Sequence, residues 1–117
     1  MSGMRMRPSP SRIEGRTADG WVVAGRLYRP ALLLTQAFAG TLPRLDFAAL
    51  ESVQLPELEG VELLLLGTGD TLRRPPMAFT EALRPRGWRV EPMDSASAAR
   101  TFNVLAAEER LVGALIL

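Results

Sequence analysis

The run Leu63-Leu64-Leu65-Leu66, breaking into Gly67-Thr68-Gly69, constrains the fold more than any other feature of this chain. Four consecutive leucines ended by a glycine turn read as a short strand buried on both faces, the kind found where helices cover both sides of a sheet. A turn at the carboxyl end of such a strand is also where ligands commonly sit in α/β proteins. Beyond Gly60 the pattern alternates: strand 61–66, a helix from about Pro76 to Arg84, strand 88–93, a helix from about Ala96 to Glu108, and strand 112–117. That alternation predicts parallel crossovers and an α/β class. Pro76 suits a first helical turn, Pro85-Arg86-Gly87 ends that helix, and Ser95 is the predicted N-cap of the last one.

The first half reads differently. Short segments rich in Val, Leu, Tyr and Trp, separated by Asp19-Gly20, Gly25 and Arg29-Pro30, predict successive antiparallel strands at Trp21–Val23, Arg26–Tyr28 and Leu32–Thr35. Between there and Gly60 the pattern is least legible, with one short helix expected where Asp46 can cap. Residues 1–12 mix Pro, Ser, Gly and Arg without periodicity and are expected to be a disordered basic tail, lacking the apolar segment of a secretory signal. Residues 13–117 then form a single α/β domain.

Absent residue types exclude much chemistry. With no Cys and no His, thiol nucleophiles, disulfides, imidazole acid–base work and soft-ligand metal sites are ruled out. All 14 cations are Arg, so neither a Schiff-base amine nor the phosphate-gripping lysine of a P-loop is available. The net charge is +1, and residues after position 16 carry more acids than arginines, which argues against nucleic acid as a partner. Uninterrupted apolar runs are strand-sized, far from the roughly 20 residues of a membrane helix. A soluble, cytoplasmic protein without metal or cofactor is expected.

Three polar positions stand out. Gly67 and Gly69 supply a tight structural turn around Thr68, but a dinucleotide fingerprint requires a third glycine where Leu72 stands and direct entry into a helix, which Pro75-Pro76 delays. On the last helix, successive residues advance by about 100°, so Ala98, Ala99, Phe102, Leu105 and Ala106 share the arc that faces the sheet. Asn103 falls on the edge of that arc, and Arg100 lies about one turn away on the same flank, within reach of the same spot. An Asn within a helix commonly has hydrogen-bond work to do, and the simplest expectation is that it pins the helix to a loop such as Gly67-Thr68-Gly69. The acidic pairs Glu57/Glu59 and Glu108/Glu109 have no acid–base geometry, and Trp21 and Trp88 read as packing residues.

The segments Glu62-Leu-Leu-Leu-Leu-Gly-Thr-Gly69, Trp88-Arg-Val-Glu-Pro-Met-Asp94, Ala98-Ala-Arg-Thr-Phe-Asn-Val-Leu105 and Glu108-Glu-Arg-Leu-Val-Gly-Ala114 resemble the domain of unknown function 498/598 family. Its members include bacterial and archaeal single-domain proteins, a human adipogenesis-associated protein and mitochondrial respiratory complex I assembly factor 3. The resemblance implies a three-layer α/β fold, with a mixed central sheet, helices and an additional antiparallel β layer from the N-terminal half. It points to a noncatalytic interaction or assembly role with a protein partner. Where the family commonly reads Ala-Cys-Arg-Thr-Tyr-Asn, this chain has Ala99 and Phe102 in place of Cys and Tyr, and Glu109 replaces a common glycine. The alternative is a small-molecule or anion binder, or an enzyme, using the Gly67–Gly69 turn with Thr68, Arg100 and Asn103.

Overall fold

A computed structural model describes residues 12–117. The expected tail falls, apart from Arg12, outside the described residues. In the C-terminal half, strand β6 (Leu63–Gly67) leads into helix α1 (Met77–Leu83), strand β7 (Arg89–Met93), helix α2 (Ser95–Ala107) and strand β8 (Val112–Ile116). In the N-terminal half lie β1 (Ile13–Thr17), β2 (Gly20–Val23), β3 (Arg26–Tyr28), β4 (Leu32–Thr35), β5 (Ala39–Thr41) and a 3-10 turn at Ala48–Glu51. Asp46 caps that turn through its Oδ1, which accepts from the Ala49 amide at 3.0 Å.

Five strands make one mixed sheet in the order β5-β4-β8-β6-β7, and β1-β2-β3 make a separate antiparallel sheet. Strand β6 runs parallel to both neighbours, with Leu64 opposite Val90 on one side and Gly113 on the other, while β4 pairs antiparallel with β8. The period of two in a strand distributes the leucines between two cores. Leu65, with Leu32, Leu34, Val112, Ala114 and Ile116, joins Ala98, Phe102 and Ala106 of α2. Leu64 and Leu66, with Leu33 and Leu115, face Phe79 and Leu83 of α1 together with Leu50, Leu55 and Trp88.

Ile13, Trp21 and Val23 of the small sheet belong to the α2-side core. The three-stranded sheet therefore packs on the same side of the central sheet as α2, and the layers run α1, central sheet, then α2 with the additional β layer. The three strands expected in the N-terminal half are all present. β1 and β5 were not anticipated, since their residues Glu14, Gly15, Arg16 and Gly40 carry no strand pattern.

One detail corrects the expected local structure. The N-cap of α2 is Asp94, whose Oδ1 accepts from the Ser97 amide at 2.8 Å. Ser95 begins the helix proper and is fully buried, because its hydroxyl has a tertiary role described below. Gly67 allows the close packing that makes this possible: a Cβ there would lie 3.0 Å from Ser95 Cα and 3.2 Å from Ala98 Cβ.

Candidate functional site

The Gly67-Thr68-Gly69 turn is a junction of three chain segments. The Thr68 amide donates to Met93 O at 2.9 Å, and the Gly69 amide donates to Ser95 Oγ at 2.8 Å. The Ser95 amide in turn donates to Gly69 O at 2.8 Å, and the Leu117 amide donates to Gly67 O at 2.9 Å. The buried Thr68 hydroxyl accepts from the Arg73 amide at 3.0 Å and lies 2.7 Å from Thr71 O and 3.2 Å from Met93 O, sharing one proton between them. Both amides that could have cradled an anion are thus engaged within the fold.

Arg100 and Asn103 lie elsewhere. Together with residues 13–16, Trp21, Ala96 and Ala99 they line an open groove of about 230 Å³ between β1 and α2, and Thr68 is not among its walls. The expectation that Arg100 and Asn103 reach one spot fits this arrangement; Thr68 does not join them.

Asn103 pins α2 as a side chain on the edge of an apolar arc should, but its target is β1 and not the glycine turn. Its Nδ2 donates to Ile13 O at 2.8 Å and its Oδ1 accepts from the Ile13 amide at 2.9 Å. The partner is 90 residues away in sequence, which is why no local pattern could have named it.

On the outer flank of α2, a polar chain runs along one helical row. The Ser97 hydroxyl donates to Asp94 Oδ2 at 2.8 Å, and Arg100 Nη2 donates to Ser97 Oγ at 3.2 Å. The Ser97 backbone amide above all, then the Ser97 hydroxyl, hold the Asp94 carboxyl below its ordinary value of 3.8; burial opposes them, and the positive charge of Arg100 adds a lesser lowering.

Across the groove, the Arg16 guanidinium stacks on the Trp21 ring at 4.6 Å from its centroid. These two are directly opposed in the β1–β2 register, so the cation covers an otherwise buried indole. Arg16 was absent from the sequence-based site. The signal that could have found it is the two-residue turn at Ala18-Asp19, which sets Arg16 opposite Trp21.

Glu14 is turned away, its Oε1 accepting from the Gly25 amide at 3.0 Å. The groove walls carry two guanidinium groups, a carboxamide, an indole and the Glu14 carboxylate, and no hydroxyl, thiol or imidazole side chain. Chemically this arrangement can hold a carboxylate or a peptide.

Known proteins give the chain its context. An uncharacterized protein of Rhodobacter capsulatus is 37% identical over 106 residues, covering 90% of this chain and 82% of that protein. NADH dehydrogenase (ubiquinone) 1 alpha subcomplex assembly factor 3 of Bos taurus is 30% identical over 118 residues, covering 97% of this chain and 64% of that protein. The chain therefore spans just under two thirds of the bovine relative's length. Among solved structures, an outer membrane protein of Bartonella henselae superposes with a TM-score of 0.77 at 26% identity, covering 94% of this chain and 96% of that one. A Mth938-like domain of Bordetella pertussis shares the fold, with a TM-score of 0.74 at 22% identity, covering 97% of this chain and 92% of that one. The family described as protein of unknown function (DUF498/DUF598) matches residues 13–117, and the chain belongs to that family.

Proposed function

We propose that this chain is a noncatalytic protein-binding domain that acts in assembly of a respiratory NADH dehydrogenase complex. The observation that carries the reading is the 30% identity, over 97% of the chain, to a protein named as an assembly factor for that complex. The site favours the same class of function. Its groove is open and offers two guanidinium groups to a partner. Among the described residues no helix is long and apolar enough to cross a membrane, and we place the protein in the cytoplasm, meeting the complex from its aqueous side.

Affinity capture from the native cell, with the full chain as bait, tests the reading. Subunits of the NADH dehydrogenase complex are the expected catch, and deletion of the gene is expected to lower the amount of assembled complex. A deletion strain with normal assembled complex and normal NADH oxidation would overturn it.

A further inference from the structure

We infer that the groove between β1 and α2 takes an extended, carboxylate-bearing segment of a protein partner, added as a further strand on the free edge of β1 with its acids paired to Arg16 and Arg100. The inference rests on the protein-binding reading above and names the chemistry of the partner at that site.

β1 pairs with β2 on one side only. Among the described residues, the outward backbone groups of β1 have one partner, the carboxamide of Asn103 on Ile13. A carboxamide offers one donor beside one acceptor, as a peptide unit does, so Asn103 occupies the place of a single peptide group of a neighbouring strand. It marks the direction in which this edge is able to bond.

In an antiparallel ladder, pairs that exchange backbone bonds alternate with pairs whose N–H and C=O point away. Thr17 and Gly20 close the two-residue turn, and Arg16 with Trp21 is the next pair. The Arg16 backbone is thereby turned outward, towards the groove. Residues 14–17 of β1 are all exposed. An exposed edge of this kind is a ready template for strand addition.

Neither Arg16 nor Arg100 lies within 4.0 Å of a carboxylate among the described residues, where the three ion pairs are Arg29–Asp19, Arg84–Glu81 and Arg86–Glu57. Arg100 bonds the Ser97 hydroxyl, which in turn bonds Asp94, and Glu14 accepts from the Gly25 amide. Two guanidinium groups without a direct ion pair among the described residues, flanking an open strand edge, are complementary to an acidic strand. At about 230 Å³ the groove is also smaller than the roughly 300–1,000 Å³ of sites that enclose a small ligand, so an elongated occupant left partly in solvent fits better.

The full chain, labelled with ¹⁵N, is titrated with a capped heptapeptide of alternating valine and aspartate. Two controls accompany it: the valine–lysine counterpart, and the aspartate peptide N-methylated at alternate amides. The aspartate peptide is expected to move the Arg16 amide and the Arg100 Nε resonance. Its affinity should fall about two- to fivefold in Arg100→Gln and more in Arg100→Glu, with both variants melting like the parent. N-methylation should weaken it about tenfold by removing strand hydrogen bonds.

No shift at the groove, equal binding of the lysine peptide, or indifference to N-methylation overturns the inference. So does a dimer of the parent that Arg100→Glu dissociates, which would make the occupant a second copy. Failure of the assembly reading looks different: the peptide binds as described while capture from cells recovers no respiratory subunit. Recovery of those subunits equally by parent and Arg100→Glu, without peptide binding, leaves the assembly reading in place and removes the groove from it.

Discussion

At the scale of single residues, Glu109 adopts a conformation suited to glycine. Its φ is +61°, directly after the Glu108 C-cap of α2. The Glu109 amide donates to Ala106 O and the Arg110 amide to Leu105 O, both at 3.0 Å, which is the Schellman arrangement of a helix that ends in a left-handed residue. A side chain there costs about 1–2 kcal/mol of steric strain, and glycine costs up to about 1 kcal/mol of unfolded-state entropy. Glu109→Gly is therefore expected to be neutral or stabilising by up to about 1 kcal/mol. A denaturant melt checks this, and destabilisation by that amount would contradict it. Asn103 behaves oppositely, since its amide satisfies both backbone groups of a buried Ile13. Asn103→Ala should cost about 1–3 kcal/mol, while Arg100→Ala, removing only an exposed contact to Ser97, should stay within about 0.5 kcal/mol of the parent. Equal melting temperatures for parent and Asn103→Ala would show that water replaces the carboxamide at the edge of β1.

At the scale of elements, α2 begins on a charge. The carboxylate of Asp94 caps the helix and accepts from both the amide and the hydroxyl of Ser97, and a negative group also suits the positive end of the helix dipole. The folded state holds the Asp94 carboxyl below its ordinary value of 3.8, so its contribution is fully present above that value. It is lost as pH falls through the lowered folded value. Asp94→Ala should therefore melt below the parent at neutral pH, with the gap closing in strong acid. A gap that persists unchanged there would assign the effect to packing and not to the charge.

The helix was legible in the sequence to within a residue at each end, because apolar spacing and caps are local signals. Assignment of the cap to Ser95 failed because Asp94 and Ser95 are both good N-caps, and only tertiary packing decides which hydroxyl or carboxylate is free to serve. β1 and β5 were illegible for a related reason: their exposed residues take strand form from pairing with β2 and β4. The stretch before Gly60 is likewise held from a distance, by Arg86 donating to Leu55 O and to Pro56 O at 2.9 Å in the latter bond. Of the site, the sequence revealed the flank shared by Arg100 and Asn103. Of the opposite wall only the pairing of Arg16 with Trp21 has a local signal, the Ala18-Asp19 turn, and the docking of β1 beside α2 has none.

At the scale of the whole molecule, Ser95 ties together the ends of three elements that are far apart in sequence. Its fully buried hydroxyl accepts from the Gly69 amide at 2.8 Å, just beyond β6, and donates to Leu117 O at 3.0 Å, just beyond β8. Gly67 lets this first turn of α2 come so close, and the Leu117 amide closes the ring on Gly67 O. The glycine turn that reads as a ligand loop thus fastens the sheet's carboxyl end to α2, and α2 in turn carries Asn103 and Arg100 to the groove. Ser95→Ala keeps the helix but leaves the Gly69 donor and the Leu117 acceptor without a partner, at an expected cost of about 1–3 kcal/mol. For a chain of this size that corresponds to a fall in melting temperature of roughly 5–15 °C. Because the loss falls where the strands meet the helix, amide exchange should quicken at Gly69 and at Leu117 before it does so in the centre of β6. An unchanged melt with unchanged protection at Gly69 would mean that the turn holds its shape through Thr68 and Met93 alone, and that the hydroxyl of Ser95 is incidental to the junction.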